Sequence, residues 1–123
     1  MTENKTVAVI GAGLAGSEAA LVLARNGISV ELYEARPQWK SPAHKTGLPA
    51  ELVCSNSLKS QQLPSAHGLL KEELVSLESP LLMAARRNAV AAGSALAVDR
   101  ELFSRDVQSL LLSNPLIKMT CSE

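Results

Sequence analysis

The chain has 123 residues, 46% hydrophobic and 20% charged, which suits one ordinary globular domain with a buried core. Twelve basic residues balance twelve acidic ones, so charge gives no case for a nucleic-acid or anionic-membrane partner. Only Tyr33, Trp39 and Phe103 are aromatic, so the core is expected to be built from Leu, Val and Ala. Two cysteines, Cys54 and Cys121, with no secretory signal point to a reducing, cytosolic compartment. No run approaches the roughly 18 apolar residues of a membrane span, and no membrane association is expected.

Met1 to Lys5 is a polar tail. Val7-Ala8-Val9-Ile10 then reads as a strand, followed by the glycine turn Gly11-Ala12-Gly13-Leu14-Ala15-Gly16 and a helix from Ser17 to Ala24. In a strand–turn–helix context the first glycine permits the turn. The second lets backbone approach a pyrophosphate, and the third lets the helix pack on the strand. The phosphates would lie at the helix N-terminus, where free N–H groups and the positive end of the helix dipole favour anions. Leu21, Val22 and Ala24 give this helix an apolar face, Gly27 ends it, and Ile28 to Tyr33 alternates as a second strand. Glu34 closes that strand about 20 residues past the glycines, where an acid binds a dinucleotide's ribose hydroxyls. Three glycines beside a small-residue helix can also be a packing device. The turn, the strand order and the acid agree in favouring an adenine dinucleotide, NAD or FAD.

Arg36 to Ala50 carries Pro37, Pro42 and Pro49 and is predicted to be an ordered or ligand-covering loop. Glu51 to Leu58 is too short to type by periodicity, and its Ser-Asn-Ser core favours a turn or helix start. Leu70, Leu74, Leu77 and Leu81 predict an amphipathic helix over 68–89. It should break at Pro80, with Ser79 as the N-cap of a second helix. A loop at 91–94 precedes a short strand at 95–98. Asp99 then caps a helix whose face carries Phe103, Val107, Leu110 and Leu111. Asn114-Pro115 stops it, and Leu116 to Cys121 reads as a third strand. Three or four strands fall short of a doubly wound sheet, so the chain is expected to be the first portion of something larger, with an unpaired strand edge.

Cys54 is the sharpest chemical candidate, because a thiolate near a helix N-terminus and a cofactor can act as nucleophile or proton carrier. Its plainer reading is a buried small hydrophobe. Cys121, in an apolar strand, is expected in the core. His44 lies in the proline-rich loop, where it can meet a ligand or move a proton. His67 and Cys54 do not make a metal-ligand set, and no metal is expected. Arg86-Arg87 and Lys71-Glu72-Glu73 read as solvated helix faces.

The segments VIGAGLAGSEAA (Val9 to Ala20), LYEARP (Leu32 to Pro37), PAHKT (Pro42 to Thr46), AELVCSNSL (Ala50 to Leu58), GLLKEEL (Gly68 to Leu74) and ALAVDRELFS (Ala95 to Ser104) closely resemble one family. It is the folate- and FAD-dependent tRNA (uracil-5-)-methyltransferases, the TrmFO family, once called Gid. The glycine motif is shared by many flavoproteins; AELVCSNSL and ALAVDR are more specific. The resemblance implies an α/β fold: a partial Rossmann-like FAD-binding domain made of a βαβ unit at 6–34, a loop with the cysteine motif at 35–64, and helices with a third strand at 65–123. It implies FAD contacts at Gly11, Ala12, Gly13, Leu14, Ala15 and Gly16, at Glu34 and Arg36, and at His44 and Thr46 nearer the flavin. Cys54 matches the family's motif cysteine beside the flavin and is the expected catalytic residue. In that family 5,10-methylenetetrahydrofolate gives a one-carbon unit to reduced flavin, which passes it to a T-arm uridine of tRNA, and NAD(P)H supplies electrons. Family proteins are several times longer, and most of the tRNA and folate surface lies in the remainder. Two rival readings stay open. The related flavoproteins that install carboxymethylaminomethyl groups at the wobble uridine share the glycine motif and a cysteine in a comparable place. A truncated, non-catalytic dinucleotide-binding remnant is the other.

Overall fold

The computed structural model describes residues 5–122, so most of the predicted polar tail lies outside the described residues. In chain order the elements are β1 (Thr6–Ile10), α1 (Leu14–Arg25), β2 (Ser29–Glu34), β3 (Ser57–Ser60) and α2 (Ala66–Ser76). They continue with α3 (Pro80–Arg87), β4 (Ala89–Val90), β5 (Ala95–Val98), α4 (Arg100–Ser113) and β6 (Ile117–Cys121). The three strands β1-β2-β6 form a parallel sheet, and β3-β5-β4 form a second, antiparallel one.

Strand alternation decides which face of the parallel sheet is covered. In β2 the residues Val30, Leu32 and Glu34 are buried, while Glu31 and Tyr33 between them are partly exposed. The register sets Val7 beside Val30 and Val9 beside Leu32 on one side of β2, with Ile117 and Met119 on the other, giving one continuous apolar face. Helix α1 covers it with Ala20, Leu21 and Ala24, and α4 with Phe103, Val107 and Leu111. Helix α3 adds Leu81, Leu82, Ala84 and Ala85, and β5 adds Leu96 and Val98. The core is therefore aliphatic, as the composition requires, with Phe103 its largest buried side chain. The opposite face carries Thr6, Glu31, Lys118 and Thr120, and among the described residues no helix covers it. Ile10 at the end of β1 is 80% exposed, and β1 has one neighbour among the described strands.

Helix limits follow local chemistry. Ser65, Ser79 and Asp99 cap α2, α3 and α4 by accepting from the N–H groups of Gly68, Leu82 and Leu102. Pro80 stands at the first helical position, where its missing N–H costs nothing. Gly27 turns the chain out of α1 with φ +78°.

Four expectations are corrected. Part of the 51–58 segment, expected as a turn or helix start, leads into β3, because Ser57 pairs with Ala97, a partner that local sequence does not reveal. Leu70 and Leu77 are exposed rather than core-facing. Helix α2 instead buries Gly68 and Lys71, since at Gly68 it lies so close to the Gln62 backbone that a Cβ would overlap it. Lys71 is correspondingly not on a solvated face: its Nζ donates to the carbonyls of Ser60 (3.0 Å) and His67 (3.3 Å), and burial lowers its pKa. Cys121 is exposed rather than core, because it is the last residue of β6, which has one neighbour among the described strands.

A Cβ at Gly16 would overlap the Gly11 carbonyl oxygen, whereas one at Gly13 would meet nothing within 4 Å. Gly16→Ala should lower the unfolding free energy by about 1–3 kcal/mol. Gly13→Ala should cost under about 1 kcal/mol, the difference between glycine and alanine as an N-cap. Urea denaturation reads both; equal midpoints for the two variants would show that α1 does not press on the turn.

Candidate functional site

The junction of β1 and α1 is shaped by its glycines. Gly11 has φ +92°, which a side chain rarely tolerates, and its N–H donates to the Tyr33 carbonyl at 2.7 Å, fixing the turn to β2. Gly13 is the N-cap of α1 and so provides no side-chain cap, and the first turn holds no acid. Helix α1 thus differs from α2, α3 and α4, whose N-termini are closed by Ser or Asp. A Cβ at Gly13 would meet nothing within 4 Å, and Gly13, Leu14 and Ala15 are all exposed. A helix start without a side-chain cap leaves N–H donors that favour an anion.

Ala12 plays a different part from its neighbours. It is buried, its N–H donates to Glu34 Oε2 at 2.8 Å, and its carbonyl accepts from the Ala50 N–H at 2.8 Å and from Ser17 Oγ at 3.2 Å. It orders the turn rather than offering a free backbone group.

Glu34 ends β2 with 7% of its surface exposed. The Arg36 guanidinium grips it side-on, Nε to Oε1 and Nη2 to Oε2, both at 3.0 Å, and the Arg36 N–H adds a bond to Oε1 at 2.9 Å. Hydrogen bonding by the Arg36 side chain, opposed by burial and reinforced by the two backbone N–H donors, lowers the Glu34 pKa from 4.5 to about 2. Arg36 is itself 5% exposed, and its Nη1 lies 3.6 Å from Glu51 Oε2. The other oxygen of Glu51 accepts from the N–H groups of Lys45 (3.0 Å) and Thr46 (3.1 Å). Glu51 is the residue that sequence reading missed: it opened an untyped segment, and no spacing rule links it to Arg36.

The structure therefore joins Ala12, Glu34, Arg36, Glu51 and the backbone of Thr46 in one network, buried at Ala12, Glu34 and Arg36 and half-buried at Glu51 and Thr46. The remaining candidates lie outside it. His44 is hydrogen-bonded through Nδ1 to Ser41 Oγ at 2.7 Å. Thr46 Oγ1 accepts from the Leu48 N–H at 3.1 Å. Thr46 also lines a cleft of about 150 Å³ with Glu51, Leu52 and Ser104, too small for a dinucleotide. Cys54 is exposed, which removes the buried-hydrophobe reading, and lines a separate cleft with Asp99 and Arg100. Arg100 leans back on the Leu52 carbonyl at 3.4 Å, joining the walls of the two clefts. Among the described residues no group of three His, Cys, Asp or Glu could hold a metal ion. No described helix is long and apolar enough to cross a membrane.

Residues 6–123 match the family model described as Glucose inhibited division protein A. The chain is 59% identical over 113 residues, 92% of its length, to a protein of Desulfitobacterium hafniense strain Y51 named methylenetetrahydrofolate--tRNA-(uracil-5-)-methyltransferase TrmFO. Proteins of the same name in Pelotomaculum thermopropionicum and Lactobacillus delbrueckii subsp. bulgaricus are 55% and 59% identical over 98% and 94% of the chain. The chain spans 26–27% of the length of these curated relatives.

Because the folded-state pKa of Glu34 lies below its ordinary value, its ionised form stabilises the fold above about pH 4.5, and that contribution is lost as pH falls towards 2. The loss should amount to about 3 kcal/mol in all. Urea denaturation at pH 6 and pH 2.5 should show this fall in the native chain and a smaller one in Glu34→Gln. Equal falls in both would place the acid sensitivity elsewhere.

Proposed function

This chain belongs to the Glucose inhibited division protein A family, and from that membership we propose that it is the FAD-binding first part of a methylenetetrahydrofolate-dependent tRNA (uracil-5-)-methyltransferase. The observation that carries the cofactor reading is the bare N-terminus of α1 at the glycine turn, with the Glu34 carboxylate fixed beside it at the end of β2. Helix N–H donors left without a side-chain cap suit a pyrophosphate, and an ionised acid at the neighbouring strand end suits the ribose hydroxyls.

In this reading Gly11, Gly13, Leu14, Ala15 and Gly16 form the pyrophosphate cradle, and Ala12 holds the turn in shape behind it. Glu34 takes the adenosine ribose with Arg36 against it, and the loop bearing His44 and Thr46 reaches towards the flavin. FAD supplies, when bound, a redox-active ring able to carry a one-carbon unit. Cys54 acts beside that ring, and its exposure in a cleft of its own meets the first requirement of a nucleophile or proton carrier. 5,10-Methylenetetrahydrofolate and NAD(P)H are the co-substrates of the whole protein, tRNA is its partner, and the cytoplasm its place. The balanced charge of this chain favours placing the tRNA surface mainly in the part of the relatives that it does not span.

The first test is an equilibrium FAD titration of the 123-residue chain and its Gly13→Glu variant. A Cβ at Gly13 meets nothing within 4 Å, but the carboxylate would repel the pyrophosphate. Saturable binding should weaken by about 10-fold or more in the variant; binding indifferent to the substitution would overturn the site. The chemistry is tested in a full-length relative carrying this chain in place of its own matching part. There Cys54→Ala should keep flavin bound and slow methyl transfer by about 100-fold or more. Unchanged turnover would remove Cys54 from the reaction.

A further inference from the structure

We propose that Glu51 is a positioning residue for the ribose end of this site: it receives the Arg36 guanidinium when the vicinal hydroxyls of a bound nucleotide take Glu34. The proposal rests on the dinucleotide reading above and adds to it a residue and a movement.

An ionised carboxylate has about four lone-pair positions, and on Glu34 all four are filled. Oε1 accepts from the N–H and Nε of Arg36, and Oε2 from the N–H of Ala12 and Nη2 of Arg36. Each oxygen therefore carries one backbone donor and one guanidinium donor. The backbone donors cannot leave without disrupting the glycine turn or the end of β2. The guanidinium can, giving up as well the 3.5 Å bond from its Nη2 to the Ala12 carbonyl, and it vacates one position on each oxygen. Two adjacent ribose hydroxyls bring one O–H donor for each, so the exchange is one for one.

A displaced guanidinium needs somewhere to go. Arg36 is buried, and a buried charge stripped of its partner is strongly destabilising. Glu51 meets that need. Its Oε2 and the Arg36 Nη1 are both buried without a hydrogen-bond partner, and they face each other at 3.6 Å. A small shift of the guanidinium away from Glu34 closes this gap into a charge-assisted hydrogen bond. The ion pair that Arg36 already makes with Glu51 is the second station of its guanidinium. Because Glu51 Oε1 holds the N–H groups of Lys45 and Thr46, the shift is also felt in the loop that carries His44 and Thr46. Ribose occupancy at one end of the site thereby reaches the loop at the other.

The experiment compares ADP with 2′,3′-dideoxy-ADP, which keeps the phosphates and lacks both hydroxyls, on the 123-residue chain and on Glu51→Gln. Glutamine keeps an oxygen for the two backbone N–H groups but offers Arg36 an amide nitrogen in place of an anion, so the guanidinium stays on Glu34. The native chain should prefer ADP by about 10-fold, and the variant by less than about 2-fold, with dideoxy-ADP binding alike to both. A second readout needs no variant: the Lys45 and Thr46 amide resonances of the native chain should shift with ADP and not with dideoxy-ADP. A full ADP preference retained in Glu51→Gln, or amides indifferent to the hydroxyls, would overturn the proposal alone. A native chain that binds both nucleotides equally overturns the placing of ribose at Glu34 and the proposal with it. A chain that binds neither overturns the dinucleotide reading on which the proposal stands.

Discussion

The hydrogen bond from the Ala12 N–H to the Glu34 carboxylate joins the glycine turn to the end of the neighbouring strand, and much of the site depends on it. A buried carboxylate is costly unless its lone pairs are met, and here two backbone N–H groups and a side-on guanidinium meet them. The bond is reinforced from both sides. Gly11 donates to the Tyr33 carbonyl one residue before Glu34, and the β1–β2 register brings Ile10 opposite Tyr33. Turn and acid are thus held together by the chain's own bonds, which is the pre-organisation a binding site requires.

The same network explains why a long proline-rich connection is ordered. Residues 36–50 contain no regular element, yet they are tied at Ala50 to the Ala12 carbonyl, at Lys45 and Thr46 to Glu51, and at Arg36 to Glu34. Ala50 reaches its position only in the left-handed region, φ +51°, and is completely buried there. Strain of this kind persists where the surroundings over-determine the backbone, and it is common at ligand sites. All these groups gather at the C-terminal ends of β1 and β2, the end of a parallel sheet where ligands bind.

Helix caps show the same division of labour. Three of the four described helices begin with a serine or aspartate whose side chain satisfies an N–H of the first turn. Helix α1 gives up that stabilisation, and a Cβ at its N-cap Gly13 would meet nothing within 4 Å. Broken local rules of this kind fall at functional or strained sites.

Sequence alone determined the parts that depend on neighbouring residues. The βαβ unit, the break at Pro80 with its Ser79 cap, the Asp99 cap and the face of α4 were all legible, because period, proline and capping chemistry act within a few positions. The glycine turn and Glu34 were legible because Glu34 follows Ala12 by 22 positions, a span of one helix and one strand of standard length. Only the tertiary structure decided the rest. Strand β3 exists through Ala95 and Ala97 of a distant strand, Lys71 is buried because α2 lies against residues 60–62, and Cys121 is exposed because it ends a strand with one neighbour among those described. Glu51 became part of the site through Arg36, which meets Glu34 by local spacing and Glu51 only by the path of an irregular loop. Side-chain pairing across such a loop follows no period, so the residues that bind a site's parts together emerge only when the chain is folded.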